Sequence, residues 1–214
     1  MNSAGFRLLI LGVAVLFVAA SKGPGAPPVN AQTTTPSFDC ARTDSEIETL
    51  VCSDERLAGL DAMMAETFTA AVAALDGAAD QEEATNRLKA EQRGWIKGRN
   101  DCWKATDRQA CVWDSYERRI AFLEARYFLA DASDPVFYEC ENDPANEIVA
   151  TFVSGSLPSV RLERGDAVEI GVLSPSASGS RYEGTFGIVF WTKGDEALVE
   201  WPQGNSFSCV VRQQ

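Results

Sequence analysis

Two polar loops decide the fold of the C-terminal half, Ser176-Ala-Ser-Gly-Ser-Arg-Tyr182 and Phe190-Trp-Thr-Lys-Gly-Asp-Glu-Ala197. Strand-favouring pairs flank a predicted hairpin through Glu183-Gly184, namely Arg181-Tyr182 before it and Phe190-Trp191 after it. Such a hairpin brings both loops to one edge of a sheet. Because loops held on a rigid scaffold often carry recognition, this stretch predicts a binding surface.

Short alternating segments surround these loops from Val136 to the end of the chain, and residues typical of turns separate them. They predict strands over 137–140, 147–153, 159–162, 167–172, 188–191, 197–201 and 206–211. Seven or eight such strands indicate a compact antiparallel barrel or sandwich.

The preceding part of the chain has the period of amphipathic helices. Apolar residues recur from Leu57 to Leu75, between an N-cap at Ser53-Asp54-Glu55 and a stop at Asp76-Gly77. Two more helices are predicted over 81–101 and 107–129. Pro135 cannot continue a helix, so the sequence predicts an α+β chain with a helical domain over 38–130 and a β domain over 136–214.

The N-terminus has the pattern of an export signal. Arg7 precedes an apolar run from Leu8 to Ala20, and Val29-Asn30-Ala31 resembles a cleavage site. The alternative is a membrane anchor, but the run is shorter than the roughly 20 residues of a spanning helix. The first cysteine is Cys40, so no lipid-modified N-terminal cysteine is expected. We predict a signal peptide over 1–31, a linker over 32–37, and a mature protein that does not insert into a membrane.

Composition limits the possible chemistry. The chain has no histidine, which excludes Ser-His-Asp and Cys-His catalysis, HExxH zinc chemistry and mixed Cys/His metal sites. Its formal net charge is −12, and residues 1–31 contain Arg7 and Lys22 but no acidic residue. Such a charge disfavours nucleic acid and anionic lipid and favours a cationic partner. Alternatively, the charge serves solubility alone.

Six cysteines in an exported chain predict a disulfide framework. Fifteen connectivities are possible for six cysteines. Their clustering along the chain favours three bridges, Cys40–Cys52, Cys102–Cys111 and Cys140–Cys209.

Residues 138–209 resemble the membrane-bound and periplasmic inhibitors of c-type lysozyme. The matching features are Tyr138-Glu-Cys140, Ser176-Ala-Ser-Gly179 with Tyr182, Phe190-Trp191, Lys193-Gly-Asp-Glu-Ala197 and Cys209. The resemblance implies an eight-stranded antiparallel barrel whose loops enter the cleft of lysozyme, a basic protein. It implies that Ser178 and Lys193 meet the catalytic carboxylates, within a binding set of Ser178, Gly179, Arg181, Tyr182, Lys193 and Gly194.

Each of these residues could instead have an ordinary structural role. Lys193 could be a solvated turn lysine, and Trp191 is predicted to be a core aromatic, because adjacent strand residues face opposite sides. Tyr182 could be a binding wedge or a packing residue. Arg181 could orient the loop or pair with Glu183.

Residues 38–126 resemble the LprI-like lysozyme-inhibitor family. The matching features are Phe38-Asp-Cys40, Val51-Cys52, Leu57, Leu60-Asp61, Gln92-Arg93, Trp95, Arg99-Asn-Asp-Cys102, Cys111, Tyr116 and Arg119-Ile120. These are mainly framework residues, and packing is the favoured role for Trp95 and Arg99.

The sequence therefore predicts a non-enzymatic inhibitor of host or competitor c-type lysozyme, without cofactor or metal, in the periplasm or secreted from a Gram-negative envelope. The alternative is an envelope binding module for another cationic protein or a cell-wall fragment. A carboxylate-based glycosidase would need two facing acids, and the sequence does not locate them.

Overall fold

The computed structural model describes residues 35–212, which lie in one compact unit. The predicted signal peptide over 1–31 lies outside the described residues. Helices come first: α1 (Glu46–Ser53), α2 (Glu55–Ala73), α3 (Gln81–Asn100) and α4 (Arg108–Tyr127). Strands follow: β1 (Asp131–Ala132), β2 (Val136–Cys140), β3 (Asp143–Ser154), β4 (Pro158–Arg164), β5 (Ala167–Ser174), β6 (Ser180–Glu183), β7 (Val189–Lys193), β8 (Glu196–Trp201) and β9 (Asn205–Val211). The predicted α+β order is confirmed.

Side-chain caps fix where the helices begin. The Asp54 carboxylate accepts from the backbone N–H groups of Arg56 and Leu57 at the start of α2, and Asp107 accepts from Ala110 N at the start of α4. The three predicted helices are confirmed within about two residues at each end. Helix α1 was not predicted.

The helices enclose a core to which all four helices contribute, including the unpredicted α1. It contains Ile47, Val51, Leu57, Met64, Leu88, Val112, Tyr116, Ile120 and Leu123. Disulfides Cys40–Cys52 and Cys102–Cys111 are formed as predicted, and Cys102 is itself buried in this core. Within residues 35–212, no helix is both long and apolar enough to span a bilayer.

Strands β2 to β9 form a closed antiparallel barrel in which each strand pairs with the next along the chain. Pairing of β2 with β9 completes the ring, and Cys140 and Cys209 are directly opposite each other in that pair. The third predicted disulfide therefore joins the first and last strands of the barrel. Closure removes the open sheet edges that would otherwise expose unpaired backbone groups.

Side chains fill the barrel interior. The buried set includes Tyr138, Ile148, Ala150, Val160, Leu162, Tyr182, Phe190, Val199 and Trp201. One barrel strand, β6, is absent from the strands predicted above; it runs from the first polar loop to the turn at Glu183-Gly184.

Helix α4 joins the helices to the barrel. Its Ala125 packs with Val153 and Ile170, and the Arg126 guanidinium donates to the Val168 carbonyl at 2.9 Å. In return, Arg161 of β4 donates to the Arg126 carbonyl at 3.0 Å. Strand β1, in the segment predicted as a boundary, pairs with the end of β3. The division into domains at 38–130 and 136–214 stays a prediction.

Candidate functional site

The two polar loops lie side by side at one end of the barrel. One spans 175–179 between β5 and β6, and the other is the tight turn at 194–195 between β7 and β8. Strands β6 and β7 are paired, with Ser180 opposite Thr192, so the first loop emerges beside the second. The predicted adjacency of the loops is thus seen in the strand register.

Direct contacts hold the first loop against β7. The Trp191 indole Nε1 donates to the Ser178 carbonyl at 2.8 Å, and the Ser176 hydroxyl donates to the Gly179 carbonyl at 2.9 Å. Gly179 has a φ of +68°, and a Cβ at this position would lie 2.4 Å from the Thr192 carbonyl oxygen. Only glycine allows this close approach with this backbone conformation.

The second loop is equally constrained. Gly194 has a φ of +62°, as required at the first central residue of a type II′ hairpin turn. Lys193 and Glu196 face each other at the ends of the strands, and the Asp195 carbonyl accepts from Val211 N at 2.8 Å. The turn is therefore attached to β9 as well as to its own strands.

The two residues predicted to bind are exposed on this edge. Ser178 and Lys193 are both exposed. Among residues 35–212, no carboxylate lies within 4.0 Å of the Lys193 ammonium, and the only hydrogen bond involving Ser178 uses its carbonyl. Both side chains are free to bind a partner.

Arg181 pairs with Glu183, which is one of the two roles left open by the sequence. Its Nε and Nη2 lie 2.7 Å from Glu183 Oε1, and its guanidinium lies over the Trp191 ring at 5.9 Å from the centroid. Hydrogen bonds from Arg181 and Ser174 lower the pKa of the Glu183 carboxyl. Arg181 thus pairs with Glu183 and also contacts the indole that donates to the Ser178 carbonyl.

Tyr182 and Trp191 lie where their strands place them. Tyr182 is 8% exposed and packs against Phe152 and Phe190 in the barrel core, and burial raises the pKa of its phenol. Phe190 is fully buried, whereas Trp191 is half-buried on the outer face. The prediction of Trp191 as a core aromatic is wrong, because Phe190 takes the inward position of this pair.

A groove of about 570 Å³ runs from the two loops along the outer face of the barrel. It is lined by Ser178, Lys193 and Trp191 at one end and by residues of β8, β9 and β2 beyond them. The latter include Glu139, Glu141, Glu196, Leu198, Ser208 and Val210. Sequence reasoning missed this groove.

The helical part contains a buried polar network. Arg99 and Asp61 are 4% and 5% exposed, and the Tyr116 hydroxyl accepts from Arg99 and donates to Asp61 at 2.7 Å. Asp61 also accepts from Ser37, and Trp95 packs edge-on against Tyr116 with 5.3 Å between ring centroids. The packing role predicted for Trp95 and Arg99 is confirmed. In the described part of the chain, no group of three acidic or cysteine side chains could hold a metal ion.

The helical part and the barrel each match a known protein family. Residues 138–207 match the family described as "Membrane-bound lysozyme-inhibitor of c-type lysozyme", and residues 39–123 match the family described as "Lysozyme inhibitor LprI". The barrel and the helical part thus both match classes of lysozyme inhibitor. These matches confirm the two resemblances in their predicted order, and both families are described as inhibitors.

Similarity to curated relatives extends over nearly the whole chain. Lipoprotein LprI of Mycobacterium tuberculosis (strain ATCC 25618 / H37Rv) is 31% identical over 206 residues, which cover 93% of this chain and 97% of the relative. Lipoprotein LprI of Mycobacterium bovis gives the same values. The chain therefore belongs to the LprI family. A solved structure that matches part of this chain is the crystal structure of Pseudomonas aeruginosa MliC in complex with hen egg white lysozyme. The match has 24% sequence identity and a TM-score of 0.32, and it covers 39% of this chain and 86% of the matched chain.

Proposed function

We propose that this protein inhibits c-type lysozyme by inserting Ser178 and Lys193 into the active-site cleft of the enzyme. One observation carries this proposal: the barrel presents these two side chains from adjacent loops, each held by its own backbone contacts, and among residues 35–212 neither side chain has a polar partner. Membership of the LprI family, and the match of the barrel to inhibitors of c-type lysozyme, support the choice of target.

The chemistry of the two side chains suits a glycosidase cleft. A retaining glycosidase such as lysozyme keeps one carboxyl protonated and another ionised. The Lys193 ammonium can bind the ionised carboxylate, and the Ser178 hydroxyl can donate to or accept from either state of the other group. Neither side chain offers a glycosidic bond, so an occupied cleft is an inhibited one.

The other predicted binding residues would act mainly by positioning. Gly179 lets the first loop lie against Thr192, and Gly194 shapes the turn that carries Lys193. Arg181 lies over the Trp191 ring on the outer face, and Tyr182 packs in the barrel core near Phe190 of β7, the strand that carries Lys193. We infer that the binding set consists of two contact residues and four residues that hold them in place.

The charge of the protein favours encounter with such a target. The formal net charge is −12, and c-type lysozymes are basic, so long-range attraction should raise the association rate. Export to the periplasm or the outside would place the protein where lysozyme attacks the cell wall.

Substitution of the two contact residues tests the site. Ser178→Ala and Lys193→Ala should each weaken inhibition of hen egg white lysozyme by about 1–3 kcal/mol, or about 5- to 150-fold in the inhibition constant. Matched controls are Ser206→Ala, exposed at the far end of β9, and Lys89→Ala, exposed on α3. Neither control should change inhibition.

The outcomes separate the possible functions. Unchanged inhibition constants for both Ser178→Ala and Lys193→Ala would refute the site. Tight binding of lysozyme without loss of its activity would instead favour an envelope binding module. Release of sugar from peptidoglycan by the purified protein would refute the assignment as an inhibitor.

A further inference from the structure

On the basis of the proposed function, we propose that the outer barrel face beside the two loops is a second contact surface, which binds a lysine or arginine side chain of the same basic partner. We call this surface the acidic face and define it by Glu139, Glu196, Leu198 and Val210. It forms the part of the groove that extends away from Ser178 and Lys193.

Strand register brings residues distant in sequence into one row on this face. Glu139 of β2 is opposite Val210 of β9, Val210 is opposite Glu196 of β8, and Glu196 is opposite Lys193 of β7. Along the adjacent strands β2, β9, β8 and β7, the row therefore consists of Glu139, Val210, Glu196 and Lys193. Because neighbouring strands are about 4.8 Å apart, Glu139 and Glu196 lie roughly 10 Å apart with Val210 between them.

A second row lies beside the first and continues the apolar surface. Trp191 is opposite Leu198, and Leu198 is opposite Ser208. Leu198 is 54% exposed and Val210 is 47% exposed, which is high for large apolar side chains. Glu141 borders this row and accepts from Ser208 N at 2.7 Å.

The combination of exposed apolar side chains and flanking carboxylates suits a lysine or arginine side chain, which has an aliphatic stem and a charged end. The aliphatic stem of a lysine or arginine can lie on Val210 and Leu198, while its charged end reaches Glu139 or Glu196. Within the described residues, no cationic group lies within 4.0 Å of either carboxylate, and Lys193 is the nearest lysine in the row. A basic partner would supply the missing positive charge.

The helical part leaves this face uncovered. Helix α4 packs on β4 and β5 through Arg126 and Arg161. In the closed eight-stranded ring, β8 is four strands from β4 in either direction, so the acidic face lies on the opposite side of the barrel. A second copy of this chain would bring like-charged carboxylates together, so charge favours a basic partner.

The test compares carboxylates on the same face. The full chain carrying Glu139→Gln and Glu196→Gln is measured against hen egg white lysozyme by surface plasmon resonance, at low and at physiological salt. The dissociation constant should rise about tenfold at physiological salt, and the association rate should become less sensitive to salt. Glu200→Gln, on the same strand and face but near the other end of β8, should bind like wild type.

Each outcome has one meaning. If wild type inhibits lysozyme but the double variant binds equally well, the acidic face has no such role and the loop site is unaffected. If wild type fails to bind lysozyme at all, the proposed function itself fails. A folding defect in the double variant would show in its unfolding midpoint, and the two single variants, each expected to weaken binding about threefold, then decide the question. A dimer that the double variant dissociates would overturn the choice of partner.

Discussion

Replacement of Gly179 by alanine should separate the shape of the inhibitory loop from the stability of the barrel. The new Cβ would lie 2.4 Å from the Thr192 carbonyl oxygen and 3.2 Å from the Lys193 Cβ. Because the first contact is with backbone in a paired strand, the loop must move rather than a flexible side chain. Ser178, the adjacent residue, would move with it.

Two costs contribute to this change. A non-glycine residue at a φ of +68° costs about 1–2 kcal/mol. Relief of the contact with Thr192 requires a shift that weakens the bond from the Trp191 indole to the Ser178 carbonyl, worth about 1 kcal/mol. We expect the folded protein to lose about 2–3 kcal/mol in stability and to inhibit lysozyme about 10- to 100-fold less well.

Gly204→Ala is the matched control. Gly204 has a φ of +82° in the β8–β9 turn, at the other end of the barrel, and a Cβ there would meet nothing within 4 Å. Urea unfolding and inhibition of lysozyme are measured for both variants. Gly204→Ala should lose similar stability from backbone strain and keep full inhibition. If Gly179→Ala inhibits like wild type, or both variants lose inhibition equally, the contact with Thr192 does not position Ser178.

Three further predictions concern stability. The pKa of Glu183 in the folded protein is lowered from 4.5, so its pairing with Arg181 stabilises the protein above pH 4.5. This stabilisation is lost as the pH falls through the lowered pKa. Between about pH 6 and pH 3, the unfolding free energy of Glu183→Gln should therefore decrease less than that of wild type. Asp61→Asn leaves the buried Arg99 short of a charge partner and should cost about 3 kcal/mol in urea unfolding at pH 7. Replacing Cys140 and Cys209 by alanine opens a loop of 69 residues and should lower the unfolding free energy by about 4 kcal/mol. Replacing Cys102 and Cys111, which are 9 residues apart, should lower it by about 3 kcal/mol.

Each of these has a control or a refuting result. A pH profile of Glu183→Gln parallel to that of wild type would show that the ion pair adds nothing. Asp166→Asn, exposed in the β4–β5 turn, should be neutral beside Asp61→Asn. Equal losses on removing the long-range and the short-range disulfide would contradict the loop-closure account of their effect.

Local sequence signals were sufficient for most of the fold. Long apolar stripes identified α2 to α4, and the clustering of cysteines identified all three disulfides. Helix α1 was missed because its eight residues bury only Ile47 and Val51, too few for a periodic pattern. Its signal is the capping motif, in which the Ser45 hydroxyl accepts from Glu48 N.

Register could not be read from the sequence alone. Alternation requires that one of Phe190 and Trp191 faces the core, but both are large aromatics, and the choice depends on pairing with β6. In the barrel, Phe190 is opposite Tyr182, and both rings point inward. The groove was missed for the same reason, since only the pairing of β2 with β9 brings Glu139 and Glu196 to the two sides of Val210.

The charge pattern of the binding edge discriminates between the candidate partners. Lys193 is directly opposite Glu196, Asp195 lies in its own turn, and Glu139 is two strands beyond Glu196 on the same outer face. A partner complementary to this edge would present a carboxylate to Lys193 and basic groups to the nearby acidic residues. A basic lysozyme with two carboxyl groups in its cleft has this pattern of charge. A neutral or anionic cell-wall fragment would satisfy Lys193 at most and would leave the surrounding carboxylates desolvated without a cation. The arrangement of charges around Lys193, rather than the net charge of the chain, therefore favours lysozyme over a cell-wall ligand.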